Sequence, residues 1–258
     1  MDKKSFFNIF KECDEYLLAT LFEDIMLCEQ IDYPIYTDTF YPPQIWSKLE
    51  NNNLFPNLNF STFGLNSNSE KKLIAIYPKH FNKEDLSPPI TFFKIDGTNK
   101  FKILEHKDFL GTLMSFRIKR EMLGDIVVLN NIAYCVVFQD LYDFINSNLT
   151  SIGKIPISMS EIEPSEIPES RFENLTITVS SNRLDNIISS IGDLSRGDST
   201  SIIEKGDVLI NYISEKNKSK ILKVGDIITV RKNGKFIFID ELGENKKGKL
   251  KIALRKFI

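Results

Sequence analysis

The chain has 258 residues, of which 42% are hydrophobic and 26% charged, a composition typical of a globular protein with one large domain or two to three small ones. No segment approaches the roughly 20 apolar residues of a membrane-spanning helix, and the first residues lack a secretory signal pattern, so we expect a cytoplasmic protein without membrane association. Cys13, Cys28 and Cys135 show no metal-ligand spacing, and His80 and His106 are the only histidines. These counts exclude most histidine-based metal sites and catalytic triads, and we expect no metal, cofactor or small-molecule substrate.

Charge is distributed unevenly along the chain. The formal net charge is −2, yet Ser180 to Ile258 carry 16 Lys and Arg against 10 Asp and Glu, a local charge of +6 that leaves −8 on the remaining residues. A basic module on an acidic body indicates binding of a polyanion, because phosphate attraction depends on the nearby field. A solvated charged face is the alternative interpretation.

The N-terminal region, residues 1–72, is predicted to be mostly helical. Apolar residues recur at helical spacing over Lys3–Glu29, and Asp32 to Pro34 are expected to end that helix. A second helix is expected after Pro42 and Pro43, followed by an Asn-rich turn over 51–59.

The central region, residues 73–157, alternates predicted strands and helices, which indicates an α/β plait similar to RNA-recognition folds within an α+β protein. A turn at Asp96 to Asn99 is expected to lead into the third strand, and Gly124 to end the first helix. The predicted strands are Leu73–Tyr77, Ile90–Ile95, Lys100–Leu104, Asp125–Leu129 and Ile132–Phe138, and the predicted helices are Asp108–Met122 and Asp140–Asn148.

An acidic segment rich in Pro and Glu, residues 158–175, is predicted to be an extended linker to a C-terminal domain, residues 176–258. In that domain we expect short helices at Arg183–Ser190 and Ser195–Lys205, with Ser195 as N-cap. Strand Asp207–Tyr212 and the hairpin Ile227–Ile239 follow, the hairpin closed by a tight Asn-Gly turn.

The C-terminal domain contains an ordered series of short motifs over about 50 residues. They are Arg183-Leu184-Asp185, Ser195-Arg196, Gly206 with Asn211, and Gly225-Asp226-Ile227-Ile228. The series resembles the S-four domain, a family named after ribosomal small-subunit protein four. The resemblance implies two short helices packed on a small sheet, with a basic face toward structured RNA.

Arg183 and Arg196 each stand at the start of one short helix, so packing of the helices would bring two guanidinium groups together. Guanidinium groups bind phosphate through paired hydrogen bonds, and backbone donors of a helix's first turn add to such a site. We predict that this site recognises RNA shape more than sequence. An exposed salt bridge is the alternative for either arginine. The predicted RNA-binding residues are Arg183, Ser195, Arg196, Ser199, Lys205, Asn211, Arg231, Lys232 and Lys235.

Other residues of this domain have structural interpretations. Asp185 is expected to cap a helix or pair with a basic neighbour, and Gly206, Gly225 and Asp226 to build turns. Asp198 would repel phosphate near Arg196. The basic run from Lys246 to Lys256 either adds positive field or forms a charged edge strand.

Motifs in the central region are similar to those of one particular family. His106, Asp108, Leu110 and Gly111 resemble the H-x-D-x-L-G stretch of YlmH-type proteins, and Lys119 to Ile126 resemble their K-R-E-x-x-G-D-I stretch. This resemblance implies an RNA-binding factor of the large ribosomal subunit, with ribosomal and transfer RNA as partners, in rescue or quality control of stalled nascent chains and linked with cell division. No catalytic step is implied. Lys119 and Arg120 then become a second RNA contact, or they cap the helix C-terminus with positive charge.

Two other functions remain open. S-four domains are often joined to pseudouridine synthases and methyltransferases, although the chain lacks a Gly-rich cofactor loop and a P-loop. A protein-interaction scaffold in cell division is also compatible with the composition. Salt dependence separates these possibilities, because phosphate contacts weaken steeply with ionic strength.

Overall fold

The computed structural model of the protein describes residues 1–11, 13–51, 53–100 and 102–257. It divides into two compact units, Met1–Glu169 and Ser170–Ile258. Helices and antiparallel sheets occur in both, which confirms the predicted α+β class. Among the described residues, no helix combines the length and the apolar run needed to cross a bilayer.

The first unit begins with helices packed on a small sheet. The prediction of one continuous helix over 3–29 is wrong, because the structure has two helices there. Asp14 accepts hydrogen bonds from the N–H groups of Tyr16 and Leu17 and so starts the second one. Asp32, with φ of 52°, ends that helix as expected. The predicted turn over 51–59 is shorter than expected, since a strand starts at Leu58, and its Asn52 lies outside the described residues. The elements are α1 (Lys3–Ile9), α2 (Glu15–Ile31), β1 (Ile35–Tyr36), α3 (Pro43–Asn51), β2 (Leu58–Phe63) and β3 (Leu73–Pro78).

Strand β3 belongs to this N-terminal part. It pairs with β1 on one side and with β2 on the other. Its residues Ile74 and Ile76 are buried against the apolar residues of α1, α2 and α3. The predicted boundary between residues 72 and 73 is therefore wrong, because a strand assigned to the plait completes the preceding sheet.

The remainder of the first unit is a plait with the element order β-α-β-β-α-β. Its antiparallel sheet has the strand order β5-β6-β4-β9, which is that of the ferredoxin-like arrangement. The elements are β4 (Ile90–Asp96), α4 (His106–Ser115), β5 (Leu123–Leu129), β6 (Ile132–Phe138), α5 (Gln139–Asn148), a short hairpin of β7 (Ser151–Ile152) and β8 (Ile155–Pro156), and β9 (Ser158–Glu161).

Three predictions in this region are wrong. The strand predicted over 100–104 is irregular backbone where it is described, and Phe101 lies outside the described residues. The helix predicted over 108–122 ends at Ser115, because Arg117 adopts a left-handed conformation with φ of 60°. The linker predicted over 158–175 is not one extended connector, since Ser158–Glu161 pairs with β4 and Ile162 and Ile167 are buried.

The second unit is a six-stranded antiparallel sheet with two helices on one face. The strand order is β10-β15-β14-β13-β11-β12. Leu184, Ile187 and Ile203 from the helices are buried against Phe236 and Phe238 of the sheet. The elements are β10 (Phe172–Val179), α6 (Leu184–Gly192), α7 (Arg196–Glu204), β11 (Val208–Ile210), β12 (Ile213–Ser214), β13 (Ile227–Val230), β14 (Gly234–Glu244) and β15 (Leu250–Phe257).

The two predicted helices and the N-cap at Ser195 are confirmed, while the sheet differs from the prediction. The loop between β13 and β14 spans residues 231–233, with Lys232 at φ of 70°, so it is longer than a two-residue Asn-Gly turn. Strand β15, which carries Lys251 and Arg255, lies between β10 and β14. Its interpretation as a charged edge strand is therefore wrong.

Candidate nucleic-acid interface

Arg183 and Asp185 form the centre of the candidate site at the start of α6. Arg183 Nε donates to Asp185 Oδ1 over 3.0 Å, and Arg183 Nη2 donates to Asp185 Oδ2 over 2.7 Å. The Arg183 side chain is 40% exposed and that of Asp185 only 13%. Asp185 thus pairs with a basic neighbour as predicted, and the remaining N–H groups of Arg183 point outward for a ligand.

Arg196 lies in the first turn of α7, where its side chain is exposed. The hydrogen bonds from Arg183 hold the pKa of Asp185 below its usual range, and the positive charge of Arg196 lowers that pKa further. The charge of Arg196 therefore acts on the Asp185 carboxylate, and of the two arginines it is Arg183 that makes the hydrogen bonds to it. The binding of one phosphate site by both guanidinium groups stays a prediction.

The start of α7 is occupied by its own side chains. Ser195 Oγ accepts the N–H of Asp198 over 3.1 Å and donates to Asp198 Oδ2 over 2.7 Å. This contact caps the helix and uses a backbone donor that the sequence suggested for phosphate. Because Asp198 adds a negative charge here, the geometry favours phosphate contact at the guanidinium groups rather than at the helix N-terminus.

Two predicted contact residues have structural roles. Ser199 is fully buried and its hydroxyl donates to the Arg196 carbonyl, so its prediction as an RNA contact is wrong. Asn211 has φ of 50°, and its amide donates to Asp226 and accepts from Ile227 N, each over 2.9 Å. Asn211 therefore connects two turns, while its side chain is exposed and its contact with RNA stays a prediction.

The other predicted basic residues occupy separate places on the second unit. Lys205 at the end of α7 and Lys232 in the β13–β14 loop are exposed. Arg231 is 68% exposed and lies 3.4 Å from Asp207. In the described part of the second unit, no hydrogen bond or ion pair joins these three to Arg183 or Arg196. They contribute positive field around the site rather than geometry within it.

Lys235 belongs to a different surface that the sequence analysis missed. Its Nζ lies 4.2 Å from the ring centroid of Phe257 and 5.5 Å from that of Tyr212. Phe172 packs on Phe257 with centroids 4.8 Å apart. The alternating strands β10 and β15, each with a terminal Phe, are the sequence signal that could have revealed this cluster.

Lys119 and Arg120 follow the end of α4, and a short 3-10 helix, Arg120–Met122, begins there. Arg120 Nη1 donates to the carbonyls of Leu123 over 2.8 Å and Gly124 over 3.3 Å. Arg120 therefore stabilises the backbone at the start of β5. Lys119 is exposed and lines a cavity of about 140 Å³ together with Asp38 and Glu121. Of this pair, only Lys119 has a side chain placed for a ligand.

The sheet of the plait has one face that is already covered. Phe92 and Tyr134, which are partly buried, pack there with buried Phe40, Leu73 and Ile162. RNA-recognition folds use aromatic residues on this type of sheet face to stack bases. Because this face is packed within the first unit, base stacking there is not favoured.

Among the described residues, no group of three or more His, Cys, Asp or Glu side chains is arranged to hold a metal ion.

Comparisons with known proteins identify the family. Residues 82–166 match the family model described as "Putative RNA-binding domain in YlmH", a range that contains the plait from β4 to β9. The chain is similar to "Ribosome-associated protein quality control protein P2" of Bacillus subtilis strain 168, with 30% identity over 190 residues, 73% of this chain and 74% of that protein. It is also similar to the solved structure "Cell division protein ylmH from Streptococcus pneumoniae", with 29% identity and a TM-score of 0.50 over 59% of this chain and 93% of that chain. The chain therefore belongs to the YlmH family.

Proposed function

We propose that the protein is a non-enzymatic, ribosome-associated RNA-binding factor whose C-terminal unit, of the S-four type, docks on folded ribosomal or transfer RNA of the large subunit. The observation that carries the proposal is the exposure of Arg183, which is held by Asp185, and of Arg196 at the starts of two helices that pack on the same sheet. Both arginines lie in the part of the chain, Ser180 to Ile258, that carries a local charge of +6.

The proposed contact reads phosphate spacing and not base sequence. Arg183 is oriented by Asp185, so its outward N–H groups are ordered before a ligand arrives, which lowers the entropy lost on binding. Lys205, Arg231 and Lys232 add exposed positive charge at other places on the second unit. Double-stranded RNA presents its backbone rather than base edges to such a surface.

The plait supplies a second contact in this proposal. The matched family description assigns RNA binding to residues 82–166, and Lys119 is the exposed one of the two basic residues singled out there. We assign this contact to the surface near Lys119 and not to the sheet face covered by Phe40 and Leu73.

The cellular role follows from the relatives. The Bacillus subtilis relative is named for ribosome-associated quality control, and the Streptococcus pneumoniae structure for cell division. We propose that this chain acts in rescue or quality control of stalled nascent chains in the cytoplasm, with a link to cell division.

Cosedimentation with ribosomes tests the docking. We expect the full-length protein in a lysate to sediment with ribosomes, and to leave that fraction after ribonuclease or as salt is raised. The double variant Arg183→Glu, Arg196→Glu should lose sedimentation, and circular dichroism of the purified variant checks that it is folded without the Arg183–Asp185 ion pair. Removing two phosphate contacts should also lower the slope of log affinity against log salt by about 1.4 to 1.8.

The matched control is Lys4→Glu with Lys11→Glu, which reverses two exposed charges in the N-terminal part of the chain and should leave sedimentation unchanged. Full sedimentation of the folded arginine variant would rule out the C-terminal contact. A wild-type protein that stays in the supernatant would rule out ribosome association.

A cell-division scaffold is the second candidate, favoured by the name of the solved relative and by the acidic charge of −8 outside the basic C-terminal residues. In that case the principal partner is a protein, and capture should persist at high salt. The RNA-modifying alternative finds no support at Asp185, because both carboxylate oxygens of this residue are engaged by Arg183.

A further inference from the structure

We infer that the face of the C-terminal sheet opposite α6 and α7 is a second RNA surface, which stacks unpaired bases on a cluster of aromatic and basic side chains. This inference rests on the proposed RNA binding, and it assigns a different RNA element to a different face. The stacking surface consists of Phe172, Tyr212, Lys235, Arg255 and Phe257.

Strand alternation separates the two faces. On β14 and β15, Phe236, Phe238, Ile252 and Leu254 are buried against the helices. Their sequence neighbours Lys235, Arg255 and Phe257 point to the opposite side because successive side chains of a strand alternate. Phe172 pairs in register with Phe257 and therefore lies on that side too.

The aromatic rings and cations of this surface contact one another. Phe172 and Phe257 have centroids 4.8 Å apart at 59°. Lys235 Nζ lies 4.2 Å from the Phe257 centroid, and the Arg255 guanidinium carbon lies 5.9 Å from that of Phe172. Rings that are partly buried and flanked by cations form a platform on which a base can stack while its phosphate meets an ammonium or guanidinium group.

Charge on this face favours an anionic ligand. The outward positions of β10 carry Asn174, Thr176 and Thr178, and those of β15 carry Lys251 and Arg255. Among the described residues of β10, β14 and β15, one carboxylate occupies an outward position. It belongs to Asp240, which pairs with Ala253. This face of the sheet therefore carries three cations, Lys235, Lys251 and Arg255, and one carboxylate.

Single-stranded RNA is the occupant that satisfies both features. A folded duplex offers phosphate but hides its bases within the helix, so it would leave the aromatic rings unused. An acidic protein segment would satisfy the cations but gains little from planar rings. An unpaired strand offers phosphates and exposed bases at the spacing of neighbouring side chains.

The test measures binding of a short oligouridylate, about ten nucleotides long, to the full-length protein. A matched strand with abasic riboses has the same charge and no bases. We expect Phe257→Leu to weaken binding of the base-bearing strand by about tenfold and to leave binding of the abasic strand unchanged. Arg255→Gln should weaken binding of both strands, and Lys4→Gln, a charge removal in α1, should change neither.

Photo-crosslinking of the wild-type protein to an oligonucleotide with 4-thiouridine gives a readout that does not depend on the folding of variants. Adducts are expected in β10, β15, or the residues around Tyr212 and Lys235. The inference is overturned if wild-type protein does not bind the strand, if adducts form only elsewhere, or if folded Phe257→Leu binds both strands like wild type. Because ribosome sedimentation depends on Arg183 and Arg196, it can persist when this inference fails.

Discussion

Arg183 and Asp185 form a two-pronged ion pair in which the acidic partner is mostly buried and the basic partner faces solvent. The pair connects Arg183, at the N-cap of α6, to the first turn of this helix. It also orients the guanidinium group. One contact therefore stabilises the fold and prepares the proposed RNA site. The two contributions can be separated by changing the carboxylate alone.

Asp185→Asn should destabilise the second unit by about 1 kcal/mol, because a hydrogen bond between charged groups becomes one to a neutral amide. RNA affinity at low salt should rise, since one negative charge leaves the site. The pKa of Asp185 is lowered in the folded protein, so its stabilisation is present above about pH 4 and is lost as pH falls through the folded pKa. Urea unfolding at neutral and acidic pH measures this, with the difference between wild type and variant vanishing in acid.

The control for that change is Asp193→Asn at the end of α6. Asp193 is exposed and has φ of 49°, a conformation that Asn tolerates well. Its effect on the free energy of unfolding should stay within about 0.5 kcal/mol. Equal losses for the two variants would mean that the Arg183 contact stabilises nothing.

Asn211→Ala should destabilise the second unit by about 2 kcal/mol, because it removes two side-chain hydrogen bonds and because Ala tolerates the left-handed backbone at φ of 50° less well than Asn. Asn211→Gly keeps the backbone freedom and should lose less. Trp46, the single tryptophan, lies in the first unit, so its fluorescence reports unfolding of that unit. We expect a shift of the far-ultraviolet circular dichroism transition with an unchanged tryptophan transition, and the reverse pattern would contradict the assignment.

Gly124→Ala should destabilise the first unit by about 1 to 3 kcal/mol. An added β-carbon would overlap Val136 Cγ1 and come within 3.1 Å of the Val136 carbonyl oxygen. Gly111→Ala is the matched control, because the exposed helical Gly111 has open space around the added carbon and should gain up to about 1 kcal/mol of helix stability. Denaturant unfolding followed by Trp46 fluorescence should show opposite shifts, and shifts of the same sign would refute the packing argument.

Asp24→Asn should stabilise the first unit at neutral pH. Burial, together with the nearby charges of Asp38 and Glu23, raises the pKa of Asp24 to about 6. The folded state therefore binds this proton more tightly than the unfolded state, and that stability is lost as pH rises from about 4 through 6. The variant should gain about 1 kcal/mol at pH near 8 and almost nothing near pH 4, as measured by urea unfolding. Glu23→Gln, at an exposed neighbour, should show a much smaller pH-dependent gain.

Local sequence patterns determined most of the regular elements. Strand Ile132–Phe138 begins and ends at its predicted residues, and Ser195 caps α7 as its hydroxyl suggests. Both depend on neighbours in the chain, either the apolar run of a strand or the donor three residues after a cap. The family was also recognisable, because its motifs are short stretches of consecutive residues.

The sequence could not determine which distant segments meet. Ser158–Glu161 looks like part of an acidic linker and becomes a strand only because β4 offers it a partner. Likewise, β15 could not be distinguished from an edge strand until β10, some 70 residues earlier, was found beside it. Strand pairing is a non-local contact, and alternation within one strand does not name its neighbours.

The candidate site was likewise determined partly by the sequence and partly by the tertiary structure. Sequence alone determined that Arg183 and Arg196 begin two helices and that the C-terminal residues carry excess positive charge, and it left Asp185 either to cap a helix or to pair with a basic neighbour. Tertiary structure alone decided that Ser199 is buried, that Asn211 connects two turns, and that Lys235 lies against Phe257. Residue type sets which interaction a side chain can make, whereas packing decides whether solvent, a ligand or the protein itself makes it.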